Sequence, residues 1–510
     1  MILDASGQII KSTTQRVSVK RTYDAAATNR HTSKHFINAD NRDADSLISE
    51  SLETLRNRVR YEIRNNCYAK GIVETKKNDI VGTGPRLQFK SKSDTFNREI
   101  EKRWAEYCEV CDYSGKLKMS EILGLVGSLQ QDESGESITV LQYEAGVSGE
   151  PALRLAVVEP DRLSTPYSLA GVQGINDQIN QGISFDSAGR PTKYYIQKKH
   201  PGAKYIASGL TIGDYNVIPA DQVIHLYRQD RPGQSRGVPW LTPALPLFAQ
   251  LRRYTLAVCD AAELAAVFAG IMKTSGQLTE DADDIEALEA IEVERNALLT
   301  LPKGWDITQF KAEQPAQSYA EFKAEILNEI GRCLNMPYNV VAANSAKYNY
   351  ASGRLDWQIY FRFISTVQNW IAGKFLNRVL WAWLSEAILI PGYLPAADLA
   401  DLSIDSNTVG WYWPGTEHVD PKKEADAQAI RLKNMTTTYA AEYARQGKDW
   451  ERQFEQIATE KKKMTELGIK PTEVKPGNKN DDEEKKTDDD EDQENETEKK
   501  SDGRRYIAIG

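Results

Sequence analysis

An α+β fold follows from the order in which hydrophobic periodicity changes along the 510 residues. A helical spacing of three and four occupies the segment from about Asp45 to Lys77, with Leu52, Leu55, Val59 and Ile63 in register. From about Glu133 the period becomes two, and from "RPGQSRGVPWLTPAL" onward helical spacing returns. Strands grouped in one run between helical runs predict segregated layers rather than alternating βαβ units.

Residues 1 to about 45 are polar and without period, and read as an extended or partly ordered arm. The first helical segment ends at "VETKKNDIVGTGPRLQ", Val73 to Gln88. A phosphate-binding loop needs glycines that let backbone N–H groups reach the anion and a helix opening directly after them. Here Pro85 follows the second glycine, "RLQFK" alternates like a strand, and neither a third glycine at dinucleotide spacing nor a Gly-Lys-Ser/Thr appears. The loop therefore reads as a turn, with Gly82 and Gly84 supplying backbone torsions that cost other residues more.

"EILGLVGSLQQD" reads as a helix, and "ESITVLQYE", "LRLAVVEPDRL", "GISFDSAGRPTKYYIQKK" and "QVIHLYRQ" as strands separated by Gly, Pro and Asp turns. Gly233 and Gly237, with Pro232 and Pro239, shape the entry to a long helix whose Leu251, Tyr254, Val258, Ala261, Ala265 and Phe268 form one apolar stripe. The segment Gln277 to Arg295 carries eight acidic residues in nineteen and leads into the strand-like "NALLTLPKGWDITQF". Helical runs Ser318 to Leu334 and Gly353 to Ile388 flank the irregular "NMPYNVVAANSAKYNYAS". Asp420 before Pro421 marks a helix start, Gly447 a break, and Trp450, Phe454 and Ile457 share a face of the helix after it. Beyond about Ile469 the chain is too charged to offset its ordering entropy, and disorder is expected.

Composition excludes several classes. The apolar stretches "LAVCDAAELAAVFAGIM" and "VLWAWLSEAILI" carry Asp260, Glu263 and Glu386 and fit no membrane span. The N-terminus lacks a signal-peptide layout, which predicts a cytoplasmic protein. Five cysteines fit a reduced compartment; Cys108 and Cys111 form one CxxC, but no second pair completes a zinc site. His31 and His35 lack the glutamate of a metalloprotease helix. Ser137 lacks the second glycine of a nucleophile elbow, and His225 in "VIHLY" reads as a strand residue making a structural hydrogen bond. No catalytic residue, cofactor site or metal site emerges, and the chain does not read as an enzyme.

The net charge of −9 is unevenly placed. Residues 471–510 hold fourteen acidic and eight basic side chains, a net of −6, leaving −3 for the preceding 470. An ordinary phosphate-gripping protein has a basic excess, and this one does not.

Seven stretches, taken in order from about Arg58 to Lys461, resemble the portal proteins of lambda-like tailed bacteriophages. They are "RVRYEIRNNCYAKGIVETKKNDIVGTGPRLQ", "DESGESITVLQY", "LRLAVVEPDRLSTP", "GISFDSAGRPTKYYI", "VIHLYRQDRPGQSRGVPWLTPAL", "NYASGRLDWQIYFRF" and "DPKKEADAQAIRLKNMTTTYAAEYARQGKDWERQFEQIATEK". The resemblance implies the portal fold, with wing, stem, clip and helical crown, assembling into a dodecameric ring at one capsid vertex. Its expected layout is an arm at 1–45, a wing at 46–241, a stem helix at 242–268, a clip at 269–316 and a second stem helix at 317–336. A tunnel loop would follow at 337–352, a long helix returning to the wing at 353–419, a crown at 420–468 and an acidic tail at 469–510.

The resemblance further implies partners: copies of the same chain, the terminase large subunit, major capsid and scaffold proteins, head-completion and connector proteins, and double-stranded DNA passing without sequence recognition. It implies no cofactor and no membrane, and a place in the virion after assembly in the host cytoplasm. Asn344, Lys347, Tyr348 and Asn349 of the tunnel loop are then expected to face the DNA channel. Asp281, Asp283, Asp284 and Glu286 are expected in the clip, where terminase docks. Another capsid or scaffold component, or a DNA-processing enzyme with a metal-binding carboxylate site, are the competing readings.

Overall fold

In the computed structural model the described residues are 30, 33–144, 146–166, 169, 178–203, 212–267, 271–274, 305–308, 317–346, 348–395, 408–415 and 421–469. The chain divides into two compact units, Met1–Pro414 and Gly415–Gly510. The mixed helical and sheet architecture is the α+β class expected.

The first unit opens with two helices where the periodicity predicted one. Helix α1 spans Ala44–Asn65 and α2 Cys67–Ile80. Asn66 between them is extended (φ −121°, ψ 119°), and its side-chain oxygen accepts from Tyr68 N and Ala69 N. An asparagine that caps a new helix restarts the hydrogen-bond ladder, so the apolar spacing continues while the backbone does not. Strand β1 (Arg86–Phe89) and helix α3 (Asp94–Val110), capped by Ser93, follow. The "EILGLVGSLQQD" helix is interrupted: α4 (Met119–Gly124) and α5 (Gln130–Glu133) are joined by a π-helical turn, Leu125–Leu129.

Strands β2 (Glu136–Tyr143), β3 (Leu153–Val158), β4 (Gln178–Asn180), β5 (Ile183–Phe185), β6 (Pro191–Gln197), β7 (Tyr215–Pro219) and β8 (Val223–Tyr227) form two antiparallel sheets, ordered β3-β2-β8 and β4-β5-β6-β7. Helix α6 (Leu245–Val267) carries the apolar stripe. Leu251 is buried, whereas Tyr254, Val258 and Ala261 are only half-buried. The antiparallel pair β9 (Ile271–Thr274) and β10 (Trp305–Thr308) precedes helix α7 (Gln317–Arg332). A short helix α8 (Tyr338–Val341) leads to the long α9 (Tyr350–Ile371), a second π-helical turn at Ala372–Leu376, and α10 (Asn377–Ala387).

Strand β11 (Val409–Tyr412) returns to pair with β1 in the register Arg86 to Tyr412. Only tertiary structure could show this closure over more than three hundred residues. It brings Trp411 against Trp104, ring centroids 5.8 Å apart, and Trp104 meets Trp383 edge to face at 5.4 Å. Trp104 and Trp383 are buried; such pairs add roughly 0.5–1.5 kcal/mol beyond area burial. Glu386, the charge inside an apolar stretch, accepts from Ala152 N (2.8 Å) and Leu153 N (3.0 Å), fixing α10 to the start of β3. Among the described residues no helix is long and apolar enough to cross a membrane.

The second unit contains α11 (Pro421–Lys433), α12 (Tyr439–Arg445) and α13 (Trp450–Glu466). Gly447 (φ 68°) breaks the chain where expected, and a further break follows Lys433 at Met435 (φ 54°). Tyr439, Tyr443 and Trp450 pack edge to face on Phe454. Arg431 ties the helices together through Glu424 (2.8 Å) and Glu442 (3.1 Å).

Candidate functional site

The expected functional residues fall in three places. Gly82 (φ 51°) and Gly84 (φ 92°) do form the turn between α2 and β1, and a Cβ on Gly84 would lie 2.9 Å from Ser120 Cβ. The acidic Asp281, Asp283, Asp284 and Glu286 lie outside the described residues, as do Lys347, Asp420, residues 1–29, 31 and 32 of the N-terminal arm and the acidic tail beyond Ile469.

Around the third place, the segment between α8 and α9, the fold is specific. α7 ends at Arg332, and the chain turns through Asn335 (φ 53°) and Ala343 (φ 48°). Asn344 is exposed; its N–H donates to Asn339 O at 3.0 Å and its side-chain oxygen accepts from Ala346 N at 3.0 Å. Tyr348 is half-buried and donates its N–H to Ser345 O. Asn349 caps α9, accepting from Ser352 N at 2.8 Å while Ser352 Oγ accepts from Asn349 N. The loop is thus a structured turn that presents Asn344 outward and commits the Asn349 oxygen to starting a helix.

Away from this loop, the first unit holds a charged hub that periodicity did not reveal. Glu136, the first residue of β2 and fully withdrawn from solvent, accepts from Arg56 Nη2 (2.8 Å), Arg236 Nε (2.8 Å), Gly237 N (2.7 Å) and His225 Nε2 (3.1 Å). Burial alone pushes the Glu136 carboxyl up, but Arg236, Arg56 and His225 outweigh it and hold it well below the usual carboxylate range. Arg236 also donates to the carbonyls of Pro160, Leu163 and Gln181, and Arg56 to that of Ser134. One carboxylate therefore joins α1, the β2-β8 pair and the turn that leads into α6. The reading of His225 as a structural strand histidine matches this geometry.

A second buried pair, Lys76 with Asp132, joins α2 to α5. Burial pushes the Lys76 ammonium down and the Asp132 carboxyl up, and their mutual attraction offsets part of each effect. Lys76 Nζ lies 3.9 Å from the Trp240 ring centroid, and the Arg228 guanidinium 5.0 Å from the same ring. Trp240 N donates to Gln131 O at 3.1 Å, so the proline-rich turn is clamped on α5.

The glycines of that turn act differently. Gly233 is left-handed (φ 80°) with open space around it. A Cβ on Gly237 would lie 2.0 Å from Gly135 O, and one on Gly135 (φ 84°) 2.2 Å from the Val238 carbonyl carbon. Gly135, which sequence reasoning missed, is the partner that makes Gly237 necessary; its place in "DESGESITV", just before a strand, is the available signal.

Possible metal donors are few. Glu159, Asp161 and His200 bring ligand atoms within 4.8 Å of one another, but Arg60 Nη2 stands 2.5 Å from Asp161 and 3.5 Å from Glu159. A guanidinium in that position opposes a second cation. Burial pushes the Cys111 thiol up to about 12 and Cys108 well above its ordinary value, which disfavours thiolate ligands. The described residues form buried charged contacts and, separately, an exposed loop, and among them no acid, base and nucleophile converge.

The family described as "Phage portal protein, lambda family" matches residues 30–368. A probable portal protein of Halomonas phage phiHAP-1 is 26% identical, covering 84% of this chain and 83% of its own length. Portal protein B of Escherichia phage lambda is 20% identical over 80% of this chain and 83% of its own. Among solved structures, a chain from the neck of an empty gene transfer agent particle, computed with C6 symmetry, gives a TM-score of 0.46 at 12% identity, covering 81% of this chain and 94% of that one.

Proposed function

The chain belongs to the lambda family of phage portal proteins, and from that premise we propose that it closes into a dodecameric ring at one capsid vertex, the channel for packaging and ejecting DNA. Portal proteins form ring assemblies and are components of the virion, and their family is structural rather than enzymatic. The observation that carries the reading is the family match over residues 30–368, which runs from the latter part of the N-terminal arm through the loop before α9 and well into that helix.

In this reading residues 46–241 make the wing, α6 and α7 the two stem helices, 269–316 the clip, 337–352 the tunnel loop, 353–419 the return to the wing and 420–468 the crown. The channel must confine duplex DNA without holding it. Each Lys or Arg that neutralises a phosphate adds salt-sensitive affinity, so a body with a net charge near −3 over 470 residues suits sliding. Asn344 offers neutral hydrogen-bonding groups, and Lys347 a transient phosphate contact repeated in every subunit. The acid-rich clip, with Asp281, Asp283, Asp284 and Glu286, docks the terminase large subunit, which supplies the ATP hydrolysis, and afterwards the head-completion and connector proteins. Major capsid and scaffold proteins surround the ring during assembly in the host cytoplasm.

Electron microscopy of the purified chain tests this directly. End views should show closed rings with a central opening wide enough for duplex DNA. Monomers or closed shells at all salt and protein concentrations would overturn the reading.

A further inference from the structure

Helix α9 begins well clear of the core. From residue 351 to 359 none of its residues is buried, yet Leu355 is 60% exposed, Trp357 41% and Ile359 52%. From Tyr360 the helix has an ordinary core face, made by Tyr360, Ile364, Val367 and Ile371. With about 100° per residue, Leu355 and Ile359 fall on one flank of that face, and Trp357 and Phe361 on the other, about 200° away. Trp357 extends this flank outward from Phe361, which is half-buried against the core, with the two ring centroids 5.1 Å apart. The strip between the flanks on the outer side holds Arg354, Gln358, Arg362 and Ser365.

We propose that the N-terminal half of α9 is wedged between two further copies of this chain, the Leu355/Ile359 ridge against one neighbour and the Trp357/Phe361 ridge against the other. The proposal rests on the ring reading and names the surface that closes it. A single exposed apolar patch would suit a twofold dimer, in which the same patch meets itself. Apolar ridges on opposite flanks of one helix are covered by identical chains when each copy offers different surfaces to its two neighbours, the head-to-tail arrangement that closes rings. The ridges themselves are apolar and offer a phosphate nothing; the cations of this stretch, Arg354 and Arg362, lie on the strip between them. Trp357 has the size and character of the anchors that dominate interface energetics.

The test uses full-length protein and two variants, one combining Leu355→Glu with Ile359→Glu, the other Trp357→Glu. Mass is measured by light scattering and native mass spectrometry. Wild type should form rings, and each variant alone should fall to the single-chain mass of 57.3 kDa. Mixed together, the two variants retain one intact ridge contact and should give a species of twice that mass and no larger. Either variant forming wild-type rings alone would overturn the proposal, as would one variant dimerising alone with no change on mixing. A wild-type chain that stays monomeric overturns the ring reading itself, and the proposal with it. Circular dichroism checks each fold, and Ile359→Gln or Trp357→Gln replaces a variant that unfolds, with the same outcomes deciding.

Discussion

Arg236 Nη2 lies 2.6 Å from Glu136 Oε1, with the arginine side chain 4% exposed and the carboxylate fully buried. The contact spans 100 residues of sequence and fastens the turn before α6 onto the central strand of the β3-β2-β8 sheet. Arg56, from α1, meets the same oxygen at 2.8 Å, and its Nη1 lies 3.6 Å from Asp161, so the two guanidiniums share two carboxylates.

Glu136→Gln should therefore be strongly destabilising, because it removes the carboxylate that buried Arg236 pairs with and leaves Arg56 only Asp161, 3.6 Å away. Breaking a buried pair in this way costs about 3–5 kcal/mol. The same group sets an acid limit. Its folded carboxyl is held below the usual range, so its stabilising contribution is complete above the unfolded value of about 4.3 and is lost as pH falls from there through the folded value. Asp79, Asp132 and Glu133 are pushed up by burial and contribute with the opposite sign, so the useful quantity is a difference in slopes. Thermal melting between about pH 3 and 6 should show a steeper loss for wild type than for Glu136→Gln. Equal slopes would mean that Glu136 does not titrate below its unfolded value.

Backbone freedom and close approach can be separated at the turn into α6. Gly233→Ala adds a Cβ in open space to a left-handed residue, and a loss of about 1 kcal/mol is expected. Gly237→Ala and Gly135→Ala each drive a Cβ into the other's backbone or that of Val238, and soluble expression should be lost for both. If Gly237→Ala melts within a few degrees of Gly233→Ala, the approach of the two chains is not as rigid as the geometry implies.

These residues also show what the sequence made legible. The order of helices, then strands, then helices was readable because hydrophobic period is a local property. So was the Gly82–Gly84 turn, because its chemistry lies within four residues. The Glu136 hub was not, since its partners come from positions 56, 225 and 236 and only packing unites them. Asn66 shows a local signal passing unnoticed: a cap residue sits inside a continuing apolar spacing, and the spacing alone suggests one helix where there are two. The π-helical turns at Leu125–Leu129 and Ala372–Leu376 left no such sign. Gly127, in the first, has Ile371 at the edge of the second so close that a Cβ would lie 2.6 Å from Ile371 Cδ1. For the loop, the sequence identified a break between helices, but not that Asn349 would be used as a helix cap.

If Asp281, Asp283, Asp284 and Glu286 form the proposed docking surface, neutralising them should weaken terminase attachment. In the combined variant Asp281→Asn, Asp283→Asn, Asp284→Asn and Glu286→Gln, ring assembly should be unchanged. Terminase affinity measured at low salt should fall at least tenfold, equivalent to about 1.4 kcal/mol. The difference from wild type should shrink as salt rises, because screening removes what the mutations removed. An affinity equal to wild type at low salt would take these four residues out of the docking surface.

The tunnel loop makes the narrowest claim, because Lys347 is the sole cation among the four expected channel residues. If it touches phosphates, a closed ring places one such contact per subunit around the bore, and only some of them can meet a duplex at once. Each contact made adds about 0.9 to the slope of log affinity against log salt. Retention of a short duplex by purified rings should therefore show a shallower salt dependence in Lys347→Ala than in wild type. Asn344→Ala, which removes an uncharged group, should leave the slope unchanged and alter affinity at every salt concentration alike. If the Lys347→Ala slope equals that of wild type, the lysine does not neutralise phosphate, and confinement of DNA rests on the shape of the channel.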